Sequence, residues 1–231
     1  MAPRALVSRI DALVICASPK ASCRSVADFA WEVAQTKTVR VTLPARLLVF
    51  RNPLRRLISA YLNKYVEHSR YREESLRLCY GARLECFADF VDELAEHGFR
   101  CIDKVHFKPQ RSRYRWWTYD RIFDAEDLEP LRRFVNGVCG TDLAMPFRVR
   151  GNRAAGVRAS ATIATADAAW LPRVALEELI RDDLTPPYVS FYTPELETKA
   201  RRIYRSDYRF LDQCLQRGLL DPPLHNRLTR L

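Results

Sequence analysis

Three short apolar runs, each ended by polar turn residues, constrain this chain more than any other feature. They are "ALVICA" (Ala12 to Ala17), "RLLVFR" (Arg46 to Arg51) and "RIFD" (Arg121 to Asp124). Apolar runs this short, bounded by turn signals, read as strands covered on both faces, and such strands belong to parallel sheets whose crossovers are helices. Helical periods fill the intervals. Val26, Phe29, Ala30 and Val33 form one, and Leu54, Leu57, Ile58, Tyr61, Leu62 and Tyr65 a second. Phe87, Phe90, Val91 and Leu94 form a third, and Leu128, Leu131, Phe134, Val135 and Val138 a fourth. The first helix is expected to open after Ser25, with Asp28 as its capping-box partner. The last is expected to open at Thr193-Pro194 and to run on through Ile203, Tyr204 and Leu211. The predicted fold class is α/β: a three-layer, mostly parallel sheet flanked by helices.

With 231 residues the chain suits one domain over 1–231, able to bury roughly 70% of its unfolded surface. The segment from Arg148 to Ala169, rich in Ala and Thr, reads as a long surface loop at 148–169. The 38 Lys and Arg residues exceed the 28 Asp and Glu by ten, and Arg supplies most of the excess. A planar guanidinium suits phosphate, sulfate and carboxylate, so an anionic partner is expected, unless the charge serves solubility alone. A nucleotide-like molecule, an acidic glycan and nucleic acid all fit that charge.

Seven Cys at 16, 23, 79, 86, 101, 139 and 214 show neither a CxxC nor a paired Cys/His spacing. Neither a zinc site nor a disulfide framework is expected, and reduced thiols suit a cytoplasmic protein. The N-terminal apolar run is too short for a signal peptide or a membrane span. Oligomeric state is not legible.

Two strand-to-helix junctions carry the chemistry, because ligands of open parallel sheets sit beyond strand carboxyl ends, where helix N-termini present N–H groups to anions. The first junction, "VICASPKASCRSVADFA", holds Lys20, then the small residues Ala21, Ser22 and Cys23, then Arg24 and Ser25. Small residues let amides approach an anion, Lys20 adds a point charge, and Ser22 or Ser25 adds a hydroxyl; an ordinary helix start would look much the same. The GxxxxGK[ST] pattern is absent, which disfavours a nucleotide kinase of P-loop ancestry. The second junction, "LLVFRNPLRRLISAYLNKY", places Arg51 at a strand end, Pro53 at the helix start and Ser59 on the helix. Arg51 and Ser59, with Arg55 and Arg56 one turn away, would close on one phosphate from two directions; the competing reading, and the commoner outcome of such spacing, is a surface helix with a solvated basic face.

Together, Lys20 in its small-residue loop and F-R-N-P-x-x-R-L-x-S-A-Y resemble the donor-binding pair of the sulfotransferase family, closest to its carbohydrate branch. "HFKPQ" (His106 to Gln110), "YDRIFDAEDLEPLRRFV" and "KARRIYRSDYRFL" resemble further segments of that branch, in order. The resemblance covers roughly residues 12 to 145 and 188 to 214. It implies a P-loop-like sulfotransferase fold and the donor 3'-phosphoadenosine 5'-phosphosulfate (PAPS), with no metal. Lys20 and residues Ala21, Ser22, Cys23, Arg24 and Ser25 would hold its 5'-phosphosulfate, and Arg51 and Ser59 its 3'-phosphate. Arg24 departs from the family, where Thr or Ser is common.

Sulfuryl transfer needs in-line geometry and charge neutralisation on the leaving oxygen, which the resemblance assigns to Lys20. The acceptor hydroxyl needs a base. His106 is the candidate, because it lies within a family-like segment; bridging between loops is its other role. His68 comes next, with Glu32 and Asp28 behind, while His97 and His225 read as surface residues. The stretch from Phe107 to Arg121, alternating rings with guanidinium groups, suits sugar rings or single-stranded nucleic acid, and equally a core edged by Arg. The expected function is sulfo transfer to a hydroxyl of a carbohydrate or glycan-like acceptor, with no nucleic acid partner and no membrane span. The alternative is a non-catalytic anion- or glycan-binding protein that retains the fold.

Overall fold

The computed structural model describes residues 6–36, 41, 44–67, 84–99, 104–113, 119–146, 167–182 and 184–231. In chain order the elements are β1 (Leu6–Ile10), β2 (Leu13–Ala17), α1 (Cys23–Gln35), β3 (Ala45–Phe50) and α2 (Pro53–Tyr61), which continues as a π-helical turn at Leu62–Val66. Then come α3 (Phe87–His97), α4 (Lys104–Phe107), a 3-10 turn at Gln110–Arg113, β4 (Arg121–Asp124) and α5 (Glu129–Cys139). α6 (Arg173–Arg181), a 3-10 turn at Tyr188–Phe191, α7 (Pro194–Ile203), α8 (Arg205–Gln216) and α9 (Pro222–Thr229) complete the chain. The chain divides into two compact units that interleave in sequence. The first is Met1–Asn52, Pro109–Arg148 and Ser206–Arg230; the second is Pro53–Lys108, Val149–Arg205 and Leu231.

The first unit holds the sheet, ordered β1-β2-β3-β4. β2, β3 and β4 run parallel, with Ile15 opposite Leu47 and Leu47 opposite Arg121, as their unbroken apolar character requires. The two-residue period of a strand then divides the side chains between two cores. Leu13, Ile15, Ala17, Ala45, Leu47, Val49 and Phe123 face Val26, Phe29, Ala30 and Val33 of α1 and Leu131 and Val135 of α5. Cys16, Leu48, Phe50 and Ile122 face Phe210, Leu211 and Cys214 of α8 and Leu228 of α9. Each fully buried Leu, Ile or Phe contributes about 1.5–3 kcal/mol, so these two layers hold the sheet in place. β1 is an antiparallel edge strand, Ile10 opposite Leu13, that the apolar-run criterion misses. Of its described side chains only Ile10 is buried, and Asp11, in the left-handed region at φ 49°, makes the turn.

The second unit packs α2 against α3. Leu54, Leu57, Ile58 and Tyr61 of α2 are buried, as their spacing requires. Around them Tyr61 meets Phe87 edge-on at 5.1 Å, Tyr65 meets Phe90 at 4.8 Å, and Phe90 meets Phe107 at 5.1 Å. Tilted and edge-to-face rings of this kind are the favoured arrangement of aromatic quadrupoles.

Three expectations need correction. α1 opens at Cys23, before Ser25, with Ser22 at its N-cap in the left-handed region (φ 52°), so Ser25 and Asp28 lie inside the helix. The Ser22 hydroxyl makes no cap bond, because it donates to the Ala125 carbonyl at 2.7 Å. Second, the closing helix is two helices. Thr193 caps α7 as expected, accepting the Leu196 N–H, but Tyr204 (φ −97°, ψ 20°) breaks the run before α8. Third, Arg55 and Arg56 do not form a solvated basic face. Arg56 is only 1% exposed, and its Nη1 donates to the Lys108 carbonyl at 3.0 Å, all within the second unit. Within 148–169, residues 148–166 lie outside the described residues; Ala168 and Ala169 are buried, and the Ala169 carbonyl accepts the Ala88 N–H.

Candidate functional site

Parallel pairing sets the carboxyl ends of β2, β3 and β4 side by side, with Ala17 opposite Val49 and Phe50 opposite Asp124. The turns that leave those ends therefore converge, and every polar group in them needs a partner because the strands beneath are apolar. The first turn runs from Ser18 to Ser22. Ala21 donates its N–H to the Ser18 carbonyl at 3.0 Å, and Lys20 and Ser22 both hold positive φ, at 66° and 52°. Ala21 is buried while Lys20 is half-buried. The first bond of α1 runs from the Val26 N–H to the Ser22 carbonyl at 3.1 Å, so the N–H groups of Cys23, Arg24 and Ser25 have no acceptor within the helix. Arg24 is exposed. Burial pushes the Cys23 thiol up, against the opposing pull of the Arg24 charge and of nearby backbone N–H groups.

Arg51 leaves the end of β3 and turns its guanidinium into this cluster. Its Nη1 donates to the Lys20 carbonyl at 3.1 Å, and its Nε and Nη2 both donate to Glu126 Oε1 at 3.0 Å. Glu126 lies in the turn after β4, where its own N–H donates to Asp124 Oδ1 at 2.9 Å. Burial pushes the Asp124 carboxyl above its ordinary range. Asn52, next to Arg51, donates to the Arg230 and Arg227 carbonyls at 2.7 and 3.3 Å, closing the carboxyl end of α9.

A fully buried amide lies beneath. Gln110 Nε2 donates to the Arg51 carbonyl at 2.7 Å, while its Oε1 accepts from the Arg51 N–H at 3.2 Å and from the Ser18 hydroxyl at 3.1 Å. It thus replaces, between the ends of β2 and β3, the ladder that stops there. Gln110 is in turn fixed by Asp207 of α8, whose carboxylate accepts the N–H groups of Gln110 at 2.9 Å and Arg111 at 2.7 Å.

Of the residues singled out in the sequence, Lys20, Ala21, Ser22, Cys23, Arg24, Ser25 and Arg51 stand together in the first unit. Ser59, half-buried on α2, and His106, half-buried in α4, belong to the second. His68 lies outside the described residues, as does 114–118 in the middle of the aromatic stretch. The described ends of that stretch are core: Phe107 and Tyr119 are buried, Arg111 stacks on Phe210 at 5.1 Å, and Arg121 covers Phe134 at 4.8 Å. His97 is exposed beside Glu93, and His225 pairs with Asp212 at 2.9 Å. Sequence reasoning gave no role to Ser18, Asn52, Gln110, Glu126 or Asp207, although the last four lie within the segments that resemble the family. The signal available was polarity in the wrong place, a Gln and an Asp inside segments otherwise rich in aromatic residues. Among the described residues, no group of three or more His, Cys, Asp or Glu is placed to hold a metal ion, and no helix is long and apolar enough to cross a membrane.

The described residues form an α/β sheet whose adjacent strand ends carry a lysine turn, a helix N-terminus and an arginine. The Sulfotransferase family model matches residues 11–212, which spans both junctions, and the chain belongs to the sulfotransferase family. Searches of curated proteins and of solved structures find no match.

Proposed function

We propose that this sulfotransferase draws its sulfo group from PAPS and delivers it to a hydroxyl of a carbohydrate or glycan-like acceptor. The observation that carries the donor reading is the approach of the Arg51 guanidinium to the Lys20 backbone carbonyl at 3.1 Å, which joins the two junctions. The residues fit a bis-phosphorylated nucleotide. Lys20 and the first N–H groups of α1 would hold the 5' end, and Arg51 with Ser59 would hold the 3'-phosphate. Bound there, the donor supplies an activated sulfo group. Lys20 would neutralise charge on the leaving phosphate oxygen, an interaction that strengthens as the bond breaks. His106 would take the proton of the acceptor hydroxyl.

Calorimetry with adenosine 3',5'-bisphosphate tests the donor half of this reading. Micromolar binding that Arg51→Ala and Lys20→Ala each weaken is expected. No binding, or binding that neither substitution changes, overturns it. Donor binding without sulfate transfer over a broad panel of glycan acceptors would instead mark a non-catalytic anion-binding protein.

A further inference from the structure

The turn after β4 touches the lysine loop twice, once directly and once through Arg51. Directly, the Ser22 hydroxyl donates to the Ala125 carbonyl at 2.7 Å. Through Arg51, a chain of contacts runs from Glu126 Oε1 to Nε and Nη2 and from Nη1 to the Lys20 carbonyl. Both ends of that chain matter physically. A long, flexible arginine loses rotamer entropy when fixed, and a charge-assisted contact on its Nε edge is what selects one orientation. The other end bonds to a backbone carbonyl within the left-handed turn, at the residue whose φ is 66°. Such a conformation persists only where its surroundings over-determine it.

We infer that Glu126 is a positioning residue for donor recognition: it aims the Arg51 guanidinium and, through it, holds the Lys20 loop in its left-handed conformation. Glu126 lies at the surface, but its side chain is 25% accessible against 7% for that of Arg51, so the pair is partly shielded from the screening that makes surface ion pairs weak. A carboxylate beside a phosphate subsite would repel an anion were its charge not spent on the arginine. Its place on the Nε–Nη2 edge leaves Nη1 directed at the Lys20 turn. This inference rests on the donor reading above and adds to it a specificity role for the β4–α5 turn.

The test compares affinities for adenosine 3',5'-bisphosphate and adenosine 5'-monophosphate, since their ratio isolates recognition of the 3'-phosphate. Glu126→Ala is expected to reduce that ratio by about tenfold, the equivalent of ~1.4 kcal/mol. Glu126→Gln, which keeps an acceptor oxygen at the same place, is expected to retain most of it. In the double variant with Arg51→Ala, removal of Glu126 should reduce the ratio no further, because its effect passes through Arg51. A ratio unchanged in Glu126→Ala, a ratio that rises, or additive losses in the double variant each overturn the inference. If Arg51→Ala itself leaves the ratio intact, the donor reading fails instead, so the two failures are distinct.

Discussion

The Asp207 carboxylate, fully buried at the start of α8, accepts the Gln110 N–H at 2.9 Å, joining two segments that lie 97 residues apart in the chain. Its second oxygen takes the Arg111 N–H at 2.7 Å, so one side chain caps the whole 3-10 turn that delivers Gln110 to the strand ends. Removing it would leave one buried N–H group, of Gln110, and one half-buried, of Arg111, without this acceptor. Asp207→Ala is therefore expected to destabilise the protein by about 3 kcal/mol, measured by urea unfolding. A loss below roughly 1 kcal/mol would show that the turn holds itself in place.

Gln110 is expected to tolerate neither truncation nor charge. Gln110→Glu puts a carboxylate oxygen where an amide now donates to the Arg51 carbonyl at 2.7 Å, so a bond becomes a repulsion. Gln110→Ala removes the side chain that pairs with both the Arg51 N–H and its carbonyl. Each variant should lose about 2–3 kcal/mol, and each should weaken adenosine 3',5'-bisphosphate binding, because Arg51 is anchored through its own backbone. Calorimetry on folded variant checks the second half; undiminished affinity would separate the Gln110 bridge from the site.

Arg56 separates a structural arginine from a ligand-binding one. Its near-complete burial and its bond to the Lys108 carbonyl predict that Arg56→Ala costs about 3 kcal/mol through lost packing and an unpaired carbonyl. Once folded, that variant should bind heparin-like polyanions as the parent does, whereas an arginine on an exposed basic face would show the reverse: stability kept and polyanion binding reduced.

The strands and most helices were legible because burial on both faces leaves a run of apolar residues that nothing else in the chain imitates. "RIFD" is only four residues long, yet β4 occupies the same four. The lysine turn and the Arg51 junction were legible for a related reason, since charge directly after a buried strand has few roles. What escaped was the wiring between them. Nothing in local sequence shows that Gln110 will bond across the ends of β2 and β3, or that Glu126 will meet Arg51 across 75 positions, because tertiary pairing fixes those partners. Capping rules favour Ser25 as the helix start because they presume a hydroxyl at liberty to cap, whereas Ser22 opens the helix with its hydroxyl committed to Ala125. Arg56 suggests a solvated residue because its neighbours on the polar side are basic, whereas it is buried with its Nη1 on the Lys108 carbonyl.

Cys16 and Cys214 lie in the same core against the sheet, and burial pushes both thiols from 9.0 up to about 11. The folded protein thus holds these protons more tightly than the unfolded chain does. Below pH 9 both states are protonated and the thiols add no pH dependence. As pH rises from about 9 towards 11 the unfolded chain releases protons that the native state keeps, so stability falls across that window. Urea unfolding at pH 8 and pH 10.5 should show the decline, with a shallower slope in Cys16→Ala and in Cys214→Ala. At pH 8 both thiols should resist iodoacetamide in native protein and react once it is unfolded. Rapid native alkylation of either, or equal slopes, would contradict this.

Lys20 combines charge and backbone strain at one position. With φ at 66° its Cβ crowds the following carbonyl, at a cost of roughly 1 kcal/mol that glycine would not incur. Lys20→Ala and Lys20→Gly remove the same ammonium, so their difference isolates the backbone. The glycine variant is expected to be more stable than the alanine variant by about 1 kcal/mol, despite glycine's larger entropy in the unfolded chain. Sulfuryl transfer should fall at least about a hundredfold in both, since neither supplies charge to the leaving oxygen. A position at which restoring conformational ease leaves activity lost holds its strain for the sake of its side chain. Equal stabilities would mean that the turn relaxes once the lysine is gone, and turnover surviving in either variant would remove Lys20 from the chemistry.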